Sequence, residues 1–294
     1  MAFYKSNLIS VDNAFNVYEN IVLNKHKYID ILYGKENRNE CYEKVKVRYK
    51  AYEENQLCLE IMTPSANFTT TEKEALLHCY NGKTKVLKDL KDQIIKAQKL
   101  HFHTKCTYCG IGDITTMDHY LPKEDFFEFA VHCYNLIPCC SYCNTKKGKS
   151  FLDERGDRKI FNPYFENLSA DIIIKCEFNF LQEKLIYNIS IESSISDNLL
   201  ISHLETLNII EKYKDETPRI ISSIARELIN NFEEYGENIV SGRNALRRNL
   251  NDIEEEQSVN SLDAIIRREY IKHDILFDLK YLKDLYSRFK NNAV

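Results

Sequence analysis

The 294-residue sequence has no tryptophan and little glycine or proline, 8 and 5 residues. So few turn-formers argue against an all-β fold, which reverses direction often and needs them. It lacks any run of about eighteen consecutive apolar residues, so no segment reads as a membrane-spanning helix. The opening stretch "MAFYKSNLISVDNAF" lacks the apolar core of a signal peptide. The expectation is a cytoplasmic location, where ten cysteines are reduced thiols or metal ligands and not a disulfide framework. The P-loop pattern G-x-x-x-x-G-K-[ST] is missing, so any ATPase must be another chain. An excess of positive charge is also missing. The formal net charge is −4, whereas a dedicated DNA-coating protein is usually basic, because phosphate neutralisation supplies most of its affinity.

With 44% hydrophobic and 29% charged residues, the chain can bury a core and is not disordered overall. Its charge is uneven. Between Gly82 and Leu100 stand Lys83, Lys85, Lys88, Lys91, Lys96 and Lys99 against Asp89 and Asp92. A second basic stretch runs from Asn144 to Lys159. Each alone reads as a solvated helix face, but together they bracket a cysteine-rich centre.

Apolar steps of three and four residues predict helices over 10–33, 37–56 and roughly 84–101. Thr71 and Glu74 form the pattern of a capping box before another. Residues 104 to 165, rich in Cys, Gly, Asn and Pro, predict short strands and turns followed by a short helix. Alternation at Ile172, Ile174, Cys176, Phe178 and Phe180, and again at Leu185, Tyr187, Ile189 and Ile191, predicts a β-hairpin turning near Gln182-Glu183. Helix returns beyond Ser196, with Pro218 expected at a helix start and Ser261 capping a long last helix, 261–290. That helix carries an apolar face for core packing or for a partner. The fold class expected is α+β, predominantly helical: a helical region over 1–100, a small metal-stabilised module over 101–165, and a β-hairpin plus helices over 166–294.

Cys106-Thr-Tyr-Cys109 and Cys140-Ser-Tyr-Cys143 are two C-x-x-C pairs. Each turn presents two thiolates to one ion, and two turns complete a tetrahedral structural Zn²⁺ site with no position open to water. In so irregular a segment the metal substitutes for a core. Cys139 is a rival ligand, although the x-x spacing favours Cys140; His101 and His103 are alternates, although four thiolates leave no vacancy. Between the pairs lie Asp118-His119 in "MDHYLPKED" and Asn135 in "YNLIPCC"; Asn144 follows the last cysteine in "CNTKKGKS". His132, amid Phe129, Val131 and Cys133, reads as a core or surface residue.

The order D-H … N … N wrapped by two C-x-x-C pairs, with a trailing "IFNPYF", resembles the HNH endonuclease family over roughly residues 101 to 165. The resemblance implies a ββα-metal finger in which Asp118 and Asn144 hold a catalytic Mg²⁺ or Mn²⁺ and His119 is the general base. It implies that Asn135 hydrogen-bonds to orient His119. Histidine titrates near neutral pH, oxygen ligands suit Mg²⁺, and a divalent cation neutralises charge on the scissile phosphate. A loop role for Asn135 and a helix N-cap role for Asn144 stand beside these assignments. Lys146, Lys147 and Lys149 are placed for phosphate contact, or are exposed and idle. Glu124 and Asp125 read as surface acids outside the metal site.

In flavour the centre looks like the HNH subunits of bacterial anti-phage defence operons of the Septu type, which work beside a separate ABC-type ATPase. The expectation is a DNA endonuclease. The alternatives are a non-catalytic zinc-stabilised nucleic-acid or protein-binding module and an RNA-directed nuclease.

Overall fold

The computed structural model describes all residues except 1–4, 12, 36–37, 150, 167–170 and 292–294. The described chain groups into two units, one of residues 5–108 and 112–166, the other of 109–111 and 171–291.

The first unit holds α1 (Ala14–Leu23), α2 (Ile29–Leu32), α3 (Glu40–Glu54), α4 (Thr70–Asn81), α5 (Lys85–Lys96), β1 (Thr116–His119), β2 (Leu136–Cys139) and α6 (Ser141–Lys147). Side-chain caps start most of these helices: Asn13, Asn39 and Thr84 each accept a backbone N–H of the first turn, satisfying donors that the helix itself leaves unpaired. The capping box of α4 is Thr69 with Glu72, not Thr71 with Glu74. Three consecutive threonines make the register ambiguous in sequence, and the reciprocal bonds, Thr69 N to Glu72 Oε2 at 2.7 Å and Glu72 N to Thr69 Oγ1 at 3.2 Å, decide it. The helix expected over 10–33 is interrupted between α1 and α2, and the one expected to reach residue 101 ends at Lys96.

β1 and β2 pair antiparallel, Asp118 opposite Ile137 and His119 opposite Leu136, and α6 follows directly, completing a ββα unit. The helices supply its missing core. Tyr49 and Tyr52 of α3 pack on Phe129 and His132 of the β1–β2 connection. Tyr52 Oη donates to the Tyr134 carbonyl at 3.0 Å. Arg48 Nε donates at 2.7 Å to Glu128, whose side chain is wholly buried. The trailing segment locks the other side, where the Tyr164 hydroxyl donates to the Leu136 carbonyl at 2.7 Å. Tyr120 of the connection donates to the Ile160 carbonyl.

The second unit holds β3 (Ile174–Leu181), β4 (Lys184–Ile191), α7 (Asn198–Thr206), α8 (Ile209–Tyr235), α9 (Ile239–Glu256), α10 (Leu262–Tyr270) and α11 (Leu279–Asn291). The hairpin turns at Gln182 and Glu183, both at positive φ, the backbone of a two-residue type I′ turn. Asn260 clamps its start by accepting from the Ile173 and Ile174 amides and donating to the Asp171 carbonyl. Pro218 lies inside α8, not at a helix start. Its missing N–H leaves the Lys214 carbonyl without its usual helical donor, and the Tyr187 hydroxyl of β4 fills that role at 3.2 Å. The expected helix over 261–290 is two helices. Ser261 caps α10, a 3-10 turn spans Asp274–Phe277, and Asp278 caps α11 by accepting from Tyr281 N at 2.7 Å. α8 and α9 approach closely at Gly242, where a Cβ would meet the Phe232 ring at 2.9 Å.

Removing the arginine of the Arg48–Glu128 pair leaves a buried carboxylate without its ion partner. Arg48→Ala is expected to cost about 3–5 kcal/mol in urea unfolding at pH 7, and a change below about 1 kcal/mol would mean that the pair behaves as a surface one.

Candidate active site

The thiols of Cys106, Cys109, Cys140 and Cys143 lie within 4.8 Å of one another, all buried. A tetrahedral zinc with Zn–S bonds near 2.3 Å needs sulfurs about 3.8 Å apart, so the donor set fits that ion. The first knuckle is held by Cys106 N donating to the Gly112 carbonyl and Thr107 N to the Pro138 carbonyl. In the second, Cys140 is the N-cap of α6, its sulfur facing Cys143 N at 3.5 Å. Lys212 Nζ lies 3.0 Å from Cys109 Sγ. Cys139, His101 and His103 are not in the cluster; His103 Nε2 faces the Gln98 carbonyl instead.

Asp118 and His119, the last residues of β1, are almost fully buried. They share a cleft of about 280 Å³ with Tyr80, Glu124, Asn144 and Lys149. Asn144 lies midway along α6, so it is not a helix cap. It faces the cleft that Asp118 and His119 also line, which brings the two expected oxygen ligands to one hollow.

His119 Nε2 is 3.0 Å from the Ala130 carbonyl. A carbonyl only accepts, so Nε2 carries the proton and Nδ1 keeps its lone pair. The Tyr80 ring meets the imidazole edge to face at 4.3 Å. Burial pushes the His119 pKa down to about 4, against the upward pull of the Ala130 bond and of Asp118, so the ring is neutral at pH 7.

Asn135 makes its bonds elsewhere than on the His119 side chain, contrary to what the resemblance implies. Its Oδ1 accepts from Leu121 N at 2.8 Å, and its Nδ2 donates to the Leu121 and Phe129 carbonyls at 3.0 and 3.3 Å. It pins the connection that carries the Ala130 carbonyl and so acts on His119 at one remove.

Lys147 is the larger correction. Expected at the surface beside phosphates, its side chain is instead fully buried. Nζ donates to Asp118 Oδ1 at 3.1 Å and to the His119 carbonyl at 2.8 Å, and lies 3.0 Å from Asp118 Oδ2 as an ion pair. Cys143 and Lys147 are four residues apart and both buried, which puts them on one face of α6; helical spacing from Cys143 is the signal that gives Lys147 this inward direction. Lys146 and Lys149 are exposed, and Lys149 borders the cleft. Glu124, read as an outside surface acid, is part of the cleft wall. Burial would raise its carboxyl, but the Lys123 hydrogen bond and nearby lysines prevail and hold it below its usual value.

Two further contributors were not anticipated. Tyr108, inside the first C-x-x-C, donates to Asp118 Oδ2 at 2.7 Å. Tyr80, from α4, supplies the cleft wall against His119. His132 is fully buried with its ring against Tyr49 and Tyr52, a core residue whose pKa burial lowers to about 3.

Residues 106–150 match the HNH endonuclease family, and the chain carries an HNH endonuclease domain there. Over 140 residues it is similar to protein ea31 of Escherichia phage lambda, at 26% identity, covering 41% of this chain and 43% of that protein. The chain thus spans less than half the length of that relative. No solved structure matches it significantly.

Asp118 and Asn144 offer the carboxylate and amide oxygens that suit Mg²⁺ or Mn²⁺. A dication there must share Asp118 with the Lys147 ammonium. Lys147→Met removes that competitor and leaves the carboxylate buried with one neutral donor. The variant is expected to lose about 3–5 kcal/mol without divalent ions and to recover more stability on Mn²⁺ addition than wild type does. Thermal unfolding across a Mn²⁺ titration measures this; equal Mn²⁺ shifts in the two proteins would show that Lys147 does not oppose the ion.

Stoichiometric zinc is the second expectation. Metal analysis should find one Zn²⁺ per chain, and Cys143→Ser should lower both that ratio and the unfolding temperature.

Proposed function

We propose that the chain is a metal-dependent endonuclease that hydrolyses DNA phosphodiester bonds. The observation that carries this reading is the convergence of Asp118, His119 and Asn144 on one cleft, with His119 fixed in the tautomer whose Nδ1 is free to accept a proton. His119 takes the proton of the attacking water at Nδ1. The Nε2–H bond to the Ala130 carbonyl holds the ring in place and stabilises the imidazolium that forms. Asp118 and Asn144 would hold a divalent ion, which would supply charge neutralisation at the phosphate. Lys146 and Lys149, exposed at the end of α6, contact flanking phosphates. Lys147 does not; it orients Asp118.

The motif string also supports a finer reading, that the chain is the effector nuclease of a bacterial cytoplasmic anti-phage defence complex beside a separate ABC-type ATPase. No helix among the described residues is long and apolar enough to cross a membrane. A non-catalytic, zinc-stabilised binding module draws on a different observation. Asp118 is already neutralised by Lys147, an arrangement that a purely structural finger would also keep. The chemistry of the cleft applies equally to RNA.

His119→Ala should abolish cleavage of plasmid DNA in Mg²⁺ or Mn²⁺ while leaving zinc content and unfolding temperature near wild type. Wild type that cuts no nucleic acid, even with an ATPase partner supplied, would sink the reading. The pH profile is a sharper check. A base must be neutral to act, and burial depresses this one, so kcat/KM should hold through pH 6 and fall on an acid limb nearer pH 4. A limb at pH 6.5 would place an exposed histidine, not His119, in charge of the proton.

A further inference from the structure

A second and larger cavity, about 730 Å³, is lined by Tyr80 and by the turn from α4 into α5. Lys83, Lys85, Lys88 and Lys91 line it, and among the described residues no carboxylate does. The first three are exposed. Lys91 is half-buried, with its ammonium 4.1 Å from the centroid of the Tyr80 ring. The same ring meets His119 at 4.3 Å, and Tyr80 lines both the cleft and this groove. The N-terminus of α5, capped by Thr84, opens on the groove and adds the positive end of a 12-residue helix. Asp89 pairs with Lys85 at 2.7 Å but lies outside the lining.

A run of lysines on a helix is ordinarily a solvated face. These lysines differ in that they enclose a hollow, and that hollow shares a wall with the catalytic cleft. The cleft itself, about 280 Å³, has room for on the order of nine waters. That accommodates the scissile phosphodiester and little more, so the nucleotides on either side need a surface beyond it.

We propose that the α4–α5 groove is the track of the nucleic-acid strand next to the scissile bond. Lys83, Lys85 and Lys88 neutralise successive phosphates, and the Tyr80 ring separates the strand in the groove from the phosphate in the cleft. This rests on the endonuclease reading and adds to it the surface that holds the substrate. It also accounts for how an acidic chain engages a polyanion, through a local groove of uniform sign.

The test uses the full zinc-loaded chain with no Mg²⁺ or Mn²⁺ added, with an end-labelled DNA duplex followed by fluorescence anisotropy from 50 to 200 mM salt. The triple variant K83Q/K85Q/K88Q is expected to flatten the dependence of log K on log salt by about two to three, near 0.9 for each phosphate no longer neutralised. Binding at the lowest salt should weaken at least tenfold. The triple Lys→Arg variant, which keeps the charge, should bind as wild type. An unchanged slope in the Gln variant overturns the proposal, as does weakened binding in the Arg variant, and either would hand the groove to some other acidic partner. Hydrolysis of bis(p-nitrophenyl) phosphate by wild type in Mn²⁺ separates the two readings. If wild type hydrolyses the ester but the Gln variant keeps its slope, the groove proposal fails and the nuclease stands. If binding follows the lysines but wild type hydrolyses neither the ester nor, with an ATPase partner supplied, any nucleic acid, the groove stands and the nuclease reading fails.

Discussion

The finger turns on one buried carboxylate. Asp118 accepts from Tyr108, a residue of the first C-x-x-C, and from Lys147, the last residue of α6. Its two oxygens join three segments: the knuckle, β1 and the helix. A buried ion pair is stabilising only when its remaining hydrogen-bonding capacity is satisfied, and here the tyrosine hydroxyl and the His119 carbonyl do that. The knuckle that fixes Tyr108 is itself organised around the cysteine cluster. The cysteine cluster therefore reaches the candidate catalytic strand both through the 2.7 Å Tyr108 bond and through α6, which carries Cys143 and Lys147, and the orientation of Asp118 depends on the folding of knuckle and helix alike.

His119 is positioned by a longer chain of support. Its orienting partner is the Ala130 carbonyl, and that carbonyl sits in a connection held by Asn135 from inside and by Arg48, Tyr49 and Tyr52 of α3 from outside. The ββα unit is too small to bury this connection by itself. The N-terminal helices supply the aromatic surface and the arginine that neutralises Glu128, and α4 adds the wall of the cleft. Within this unit the helices complete the site and are not a mere attachment to it.

What is legible in the sequence is whatever is encoded at short separation. Paired C-x-x-C turns, an Asp-His at a strand end and an Asn one residue past the last cysteine all lie within residues 106–144, and each imposes its chemistry by spacing. The hairpin is legible because a two-residue turn and strict alternation are local signals. Direction is harder to read. Lys147 looks like its neighbour Lys146 by composition, and only the face of α6 on which it falls sends it inward. Asn135 draws the wrong partner from the motif because its true partners are backbone atoms, which composition does not mark. Tyr80 has no readable link to His119, since the two are brought together only by tertiary packing. Pro218 and the break before Asp278 escape a sequence reading for a related reason. A helix tolerates a proline when a side chain from another element, here Tyr187, takes the released carbonyl. A long apolar periodicity also persists across a 3-10 turn whose cap is a single aspartate.

The charge count at Asp118 bears on how such a site would be loaded. Asp118 and Lys147 together are neutral, and Asn144 adds no charge. If these two oxygens hold a divalent ion, the protein offers it little net attraction, and most of the compensating charge must come from the scissile phosphate. Ion and substrate then favour each other's binding, because each supplies the charge the other lacks. A site built this way binds its ion weakly in the absence of nucleic acid and firmly in its presence. That ties the competence of the cleft to occupancy by a polyanion, which a stronger set of protein ligands would not do.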